Sequence, residues 1–350
     1  MDNILPAYND PLFSILIIVV LVLLVAIISV VMGNVKEDRK RKSLKRFLNS
    51  FNTNESLLEI EEMPFNQSLV KPLTLLAYTF KNQGEFQKAI NLNLYLINHI
   101  PSFIDKEEIL EQLGQTYLKA GFLKRAESVF LQILHKRARN KEVLYNLGIV
   151  YELLHEYDKA LDTIRPLEVL GEETQPLEAH LRLHQLLTDR KVNSSQKVEK
   201  LVAFLEDENY SYRPLMKALF QLDRAMAWQN IKSKEIHSII DILWFLPTSN
   251  LNFDIISSEK TLRAIFVAKG HLEANGLSIE KSNIFAIDTI ISAQQGGNYE
   301  VDITFTYGCQ KCKQHFPIAF TRCPKCYAID TIQIKETVAK KQSQTGYSLL

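Results

Sequence analysis

The chain has 350 residues, a formal net charge of +1, 46% hydrophobic and 23% charged residues, and four cysteines. That balance excludes a broadly basic nucleic-acid binder and a mostly disordered chain, and 12 glycines with 11 prolines favour helices over a turn-rich all-β fold. A disulfide scaffold is excluded as well, because every cysteine lies between Cys309 and Cys326.

The first element is apolar. Leu12 to Met32 is almost purely aliphatic, and no charge occurs from Pro11 to Val35. About 20 such residues at ~1.5 Å rise cross a hydrocarbon core of roughly 30 Å, so residues 11–33 are expected to form one transmembrane helix. Asp2 and Asp10 precede it; Lys36, Arg39, Lys40, Arg41, Lys42, Lys45 and Arg46 follow. Positive-inside bias then places the N-terminus outside and the bulk of the chain in the cytoplasm. A cleaved signal peptide would need the basic cluster on the other side and a shorter apolar run. Residues 34–67 form a juxtamembrane linker.

A pattern then recurs. Small residues pair twelve positions apart as Ala77/Ala89, Gly114/Ala126 and Gly148/Ala160. Leu76, Leu113 and Leu147 precede the first member; Phe80, Tyr117 and Tyr151 follow it by three. Phe86, Leu123 and Tyr157 stand three before the second. A small residue at a helix crossing lets two axes approach within about 8–9 Å, and faces left bare by one hairpin are covered by the next. A period of about 34 residues with this signature resembles the tetratricopeptide repeat. Repeats are therefore expected over 68–170, with turns at Gly84 and Gly121. His155 replaces the third turn glycine, and Pro166 should shorten or kink the last helix.

Residues 171–295 keep helical periodicity without the small-residue signature, as at Leu181–Leu187, Val198–Leu205, Leu215–Trp228 and Ile236–Leu246. Degenerate hairpins continuing the array are expected, ending near Gly296-Gly297. If the register holds, the inner helices offer a protein-binding groove lined by Tyr78, Lys81, Asn82, Glu111, Gln115, Lys119, Tyr145, Ile149 and Glu152. His180 and His184, four apart on one helix, are expected to be partly exposed.

The last segment reads C-x2-C-x10-C-x2-C through Cys309, Cys312, Cys323 and Cys326. Two tight turns bring four thiolates around one tetrahedral ion, zinc or iron. Apolar alternation at Val301, Ile303 and Phe305, and again at Ile329, Thr331, Ile332 and Ile334, suggests short strands over 300–334 with a tail at 335–350. So small a unit would draw folding free energy from its metal. His315 is expected at the surface. No nucleotide-binding, zincin or nucleophile-elbow motif occurs, so no enzyme is expected. An electron carrier with iron in the four-cysteine site is the alternative from another class.

The order of parts resembles the lipopolysaccharide assembly protein B family. Leu113-Gly114, Tyr117, Ala120-Gly121 and Arg125-Ala126-Glu127 are similar to that family's first repeats. Tyr307, the two Cys-x-x-Cys turns and Thr331-Ile332 are similar to its terminal rubredoxin-like domain. Lys313 stands where a glycine usually follows the first turn, and Ile329 where tryptophan is usual. The resemblance implies a mainly α protein: one membrane helix, a tetratricopeptide-like α-solenoid, and a small β-rich rubredoxin- or zinc-ribbon-like domain. It further implies an inner-membrane scaffold of a Gram-negative bacterium, working with a membrane AAA+ protease to control lipopolysaccharide biosynthesis. Of the family's functional residues it carries over the four cysteines alone, as ligands. A generic repeat scaffold for another membrane complex shares every one of these features, and homo-oligomerisation stays open.

Overall fold

A computed structural model describes residues 65–273 and 282–341. The anchor expected at 11–33 and nearly all of the linker at 34–67 lie outside the described residues. Among the described residues no helix is long and apolar enough to cross a membrane. The chain divides into two compact units, one ending at Ile109 and one starting at Leu110.

In the first unit, α1 (Val70–Gln83) and α2 (Phe86–His99) form a hairpin. Its crossing residues, Ala77 and Ala89, are fully buried. α1 stops because Gly84 takes φ 84°, which turns the Glu85 amide back to the Phe80 carbonyl at 2.9 Å. α3 (Phe103–Lys119) spans the division between the units.

The second unit continues with α4 (Leu123–Lys136) and α5 (Lys141–Leu153). A Cβ on Gly114 would sit 2.4 Å from Phe130 Cε1, and one on Gly148 would sit 2.8 Å from Thr163 Oγ1. Glycine is therefore required by the helix crossing itself. The second hairpin turn repeats the first: Gly121 has φ 78°, and the Phe122 amide donates to Tyr117 at 2.8 Å. The third keeps the same bond, Glu156 to Tyr151 at 2.9 Å, with His155 forced to φ 59°. Pro166 breaks the helix as expected. It cannot donate to Asp162 and its ring crowds that carbonyl, so the element splits into α6 (Tyr157–Asp162) and α7 (Ile164–Val169).

α8 (Gln175–Thr188), α9 (Ser194–Phe204), α10 (Tyr212–Leu222) and α11 (Arg224–Gln229) follow. The helical pattern from Leu215 to Trp228 is carried by two helices. Asp223 is extended, and its carboxylate accepts from the Met226 amide at 3.0 Å, capping a new helix. A 3-10 stretch (Ser233–Ile239) leads into α12 (Ile240–Trp244), then α13 (Phe253–Ser258), α14 (Lys260–Ala268) and α15 (Phe285–Gln295).

A three-stranded antiparallel sheet closes the unit in the order β2-β1-β3: β1 Val301–Cys309, β2 His315–Phe316, β3 Ile332–Lys340. β1 and β3 pair from Val301↔Lys340 to Cys309↔Ile332, so the last strand runs six residues past the expected boundary at 334. The sheet does not stand alone. Ile303, Phe305, Tyr307 and Ile334 share one core with Leu243, Trp244, Leu246, Ile287 and Ile290. The helices thus supply the apolar surface that so short a β unit lacks.

Candidate metal centre

β1 ends on the first ligand position, and two turns of the same construction hold the four cysteines. In the first, Lys313 N donates to Cys309 O at 2.8 Å and Cys309 N to Gln314 O at 2.9 Å. In the second, Tyr327 N donates to Cys323 O at 2.9 Å and Cys323 N to Ala328 O at 2.8 Å. The residue after each second cysteine is left-handed, with φ 58° at both Lys313 and Tyr327. That explains why a glycine suits the first of these places, and why lysine there is strained.

The four Sγ atoms lie within 4.8 Å of one another. Cys309–Cys326 and Cys312–Cys323 are each 3.7 Å apart. A tetrahedron with metal–sulfur bonds of about 2.3 Å has an edge near 3.8 Å, so the donor set fits one tetrathiolate ion. The Cys312 amide points at Cys309 Sγ from 3.5 Å, and the Thr331 hydroxyl lies 3.2 Å from the same sulfur. Burial opposes ionisation of Cys309, but these contacts outweigh it and bring the thiol down to about 6. Burial pushes Cys323 up to about 12. Cys309 is therefore the thiol most readily ionised by its surroundings, and coordination would strip the protons of the others.

Arg322, next to Cys323, reaches from the second turn to α5. Its Nε lies 3.0 and 2.9 Å from the two oxygens of Glu152, and Nη2 donates to Oε2 as well. Nη1 donates to the carbonyl of Tyr327, and the Tyr145 hydroxyl completes the set around the guanidinium. Behind the carboxylate, His180 Nε2 on α8 is 2.9 Å from Glu152 Oε1. The side chains of His180, Glu152 and Arg322 are 3%, 10% and 7% exposed, so the cluster is sealed from water. Burial alone would raise the Glu152 carboxyl; the bonds from His180 and Arg322 reverse this and hold it at about 2. His184, stacked on Tyr157 with its Nε2 buried and unbonded, is brought down to about 4 by burial and by His180 beside it.

A second junction sits on β1. Tyr307 OH donates to Asp241 Oδ2 at 2.8 Å, and Arg213 holds both Asp241 oxygens at 2.6 Å. Burial and the Asp241 carboxylate push the Tyr307 phenol upward. The two junctions flank the ligands: Tyr307 is two residues before Cys309, and Arg322 one before Cys323.

The expected groove is not a uniformly open face. In the first unit Tyr78 and Asn82 are exposed, but Lys81 is buried beside the Tyr78 ring, at 4.6 Å. In the second, Lys119 is exposed, Gln115 donates to Glu142 at 2.7 Å and Asn140 to Glu111 at 3.3 Å. Tyr145 is half-buried, and Ile149 and Glu152 are buried, Glu152 beneath the cysteine turn. His180 is likewise buried rather than partly exposed, because Glu152 satisfies it; His315 is at the surface. The residues that sequence reasoning missed are Arg322, Arg213, Asp241 and the pairing role of His180. A signal for Arg322 existed. No Asp or Glu occurs between Asp302 and Asp330, so a buried arginine there had to find its counter-charge elsewhere in the chain.

No protein-family model matches the chain. It is 29% identical over 100 residues to lipopolysaccharide assembly protein B of Escherichia coli strain K12, a match covering 28% of this chain and 26% of the relative. The protein of that name from Escherichia coli O157:H7 gives the same figures. The match thus spans about a quarter of the length of these curated relatives. Among solved structures, a tetratricopeptide repeat protein from Parabacteroides merdae superposes with a TM-score of 0.36 at 17% identity, over 65% of this chain and 99% of that one.

Proposed function

We propose that this chain is a non-catalytic, membrane-tethered scaffold in the inner membrane, acting in lipopolysaccharide assembly through protein contacts. Its repeats would bind proteins, and its four cysteines would hold one structural zinc or iron ion. The observation that carries the reading is the tetrathiolate cluster welded through Arg322 to Glu152 of a repeat helix. A site buried at one edge and ion-paired to a hairpin suits a joint in a scaffold. A diffusing electron carrier would gain nothing from it. The similarity to lipopolysaccharide assembly protein B supports the pathway, and the apolar run at 11–33 supports the tether. The partners on this reading are a membrane AAA+ protease and an enzyme of lipopolysaccharide synthesis.

The test is photo-crosslinking in cells from Tyr78 and Lys119, both exposed. Capture of a membrane protease or of a lipopolysaccharide enzyme is the expected result. Capture of neither, from a membrane fraction in which the chain is intact, removes the pathway assignment. A coloured, reversibly reducible purified protein would instead favour the iron-based carrier.

A further inference from the structure

We propose that Glu152, backed by His180 and flanked by Tyr145, is a guanidinium-binding pocket of the repeat array that the chain's own Arg322 fills, and that the metal-bound turn is its removable plug. With the ion in place the pocket is closed. With the ion gone, the turn lets go and the pocket takes an arginine side chain of another protein. The inference deepens the scaffold reading, on which it rests only for there being a protein partner.

Three observations lead there. First, the pocket is built for a planar fork. Arg322 presents Nε and Nη2 to one carboxylate while Nη1 finds a carbonyl. An ammonium can satisfy only part of that arrangement. His180 fixes the carboxylate from the far side at 2.9 Å, so it stays aimed when its partner leaves.

Second, Arg322 is positioned by the turn on one side and, on the other, by Ala319 and Phe320, which pack on the helical core. The carbonyl that receives Nη1 belongs to Tyr327, whose own amide closes the turn onto Cys323. Pro324 and Lys325 are exposed, and the turn carries a left-handed non-glycine residue. Within the turn itself the buried residues are Cys323 and Ala328, so an ion would be the main constraint on the shape of residues 323–327.

Third, the remainder of the sheet has independent moorings. Tyr307 bonds Asp241, and Ile303, Phe305 and Ile334 lie in the helical core. Loss of the ion should therefore free the turn while β1 and β3 stay docked, which makes the release local.

The experiment uses the purified full-length chain in detergent, followed by amide hydrogen exchange with metal content measured in parallel. Stripping the ion under reducing conditions should lower protection across 141–157 and 175–188 by about tenfold or more, with 301–308 and 332–340 changed by less than about threefold. The Arg322→Ala chain, still metal-loaded, should show the same exposure of 141–157. Millimolar ethylguanidinium should restore that protection in Arg322→Ala, while ethylammonium should not. Arg322→Lys, which keeps charge and stem, serves if the alanine chain folds poorly, and it too should respond to ethylguanidinium alone. Unchanged protection of 141–157 after stripping would overturn the plug, as would β1 and β3 exchanging together with it. Equal effects of the two cations would overturn the guanidinium pocket. A failed search for partners in cells would leave all of these exchange results standing, so the two readings fail separately.

Discussion

Glu152→Gln removes one charge at nearly constant volume and leaves the guanidinium of Arg322 facing a neutral amide. With the two side chains 10% and 7% exposed, water reaches neither. Breaking a buried pair by removing one partner costs about 3–5 kcal/mol, because the surviving charge keeps its desolvation penalty. There is a ceiling. Arg322 sits on a surface turn, so the chain can relieve the penalty by undocking that turn, and the loss cannot exceed what the docking contributes. The double substitution Glu152→Met with Arg322→Met removes both charges and should cost far less, about 1 kcal/mol or under. The assay is thermal and denaturant unfolding of the metal-loaded chain. At roughly 2–4 °C per kcal/mol for a unit of this size, the single variant should melt about 10 °C lower. The reasoning is refuted if Glu152→Gln melts within about 1 kcal/mol of the parent, or if the double variant is the worse of the two.

The remaining predictions concern the repeat, the turn and acid. Gly114→Ala places a Cβ 2.4 Å from the Phe130 ring, in a crossing with no room, and should destabilise by about 1–3 kcal/mol in a denaturant melt. Lys313→Gly should instead stabilise by about 1 kcal/mol with metal content unchanged, because it relieves a left-handed lysine at φ 58° that is exposed to solvent. The folded-state values of Glu152 and His184 are both depressed, from 4.5 to about 2 and from 6.5 to about 4. Both contributions are therefore complete above the unfolded values and are lost as pH falls, His184 first, between 6.5 and 4. At about 3 kcal/mol for each group, His184→Phe should flatten the stability profile of unfolding midpoints from pH 7 to 4 relative to the parent. A variant curve parallel to the parent's would count against that origin of acid sensitivity.

The repeats were legible because their rule is local. A small residue at a crossing and another twelve positions on spell out a hairpin, and Gly114 and Gly148 show the steric need directly. The cysteine cluster was legible for the same reason, since two short turns carry the whole coordination geometry. What escaped was long-range. Arg322 and Glu152 are 170 positions apart, and nothing near either residue announces the other. Read alone, Glu152 looks like a solvated groove residue and His180 like a helix-surface histidine; only their mutual satisfaction lets both be buried. The split at Asp223 was a missed cap, a polar residue inside an otherwise continuous apolar period. The end of β3 was missed because Lys335, Glu336 and Lys340 disguise a strand that buries one face and wets the other.

The division of labour inside the C-terminal region follows from the same contrast. The sequence expectation made the metal part of its folding free energy, on the ground that so few residues cannot hold a core without help. The structure adds a second support for the strands: Ile303, Phe305, Tyr307 and Ile334 are at most 9% exposed and share a core with helices. At about 1.5–3 kcal/mol per fully buried large side chain, an upper figure, that face alone rivals what a single ion contributes in excess of its own desolvation. The turns have less backing, with Ala319 and Phe320 before the second and Ile332 after it partly buried against that core. Beneath them lie chiefly Cys309, Cys323 and Ala328, and their outer residues Lys311, Lys313, Pro324 and Lys325 face water. Burial therefore fixes where the sheet sits, and coordination would fix the shape of its tip. Because Arg322 belongs to the tip and Glu152 to the repeats, an ion bound at the tip would govern, on the plug proposal, a contact between two parts of the second unit that burial would hold near each other in any case.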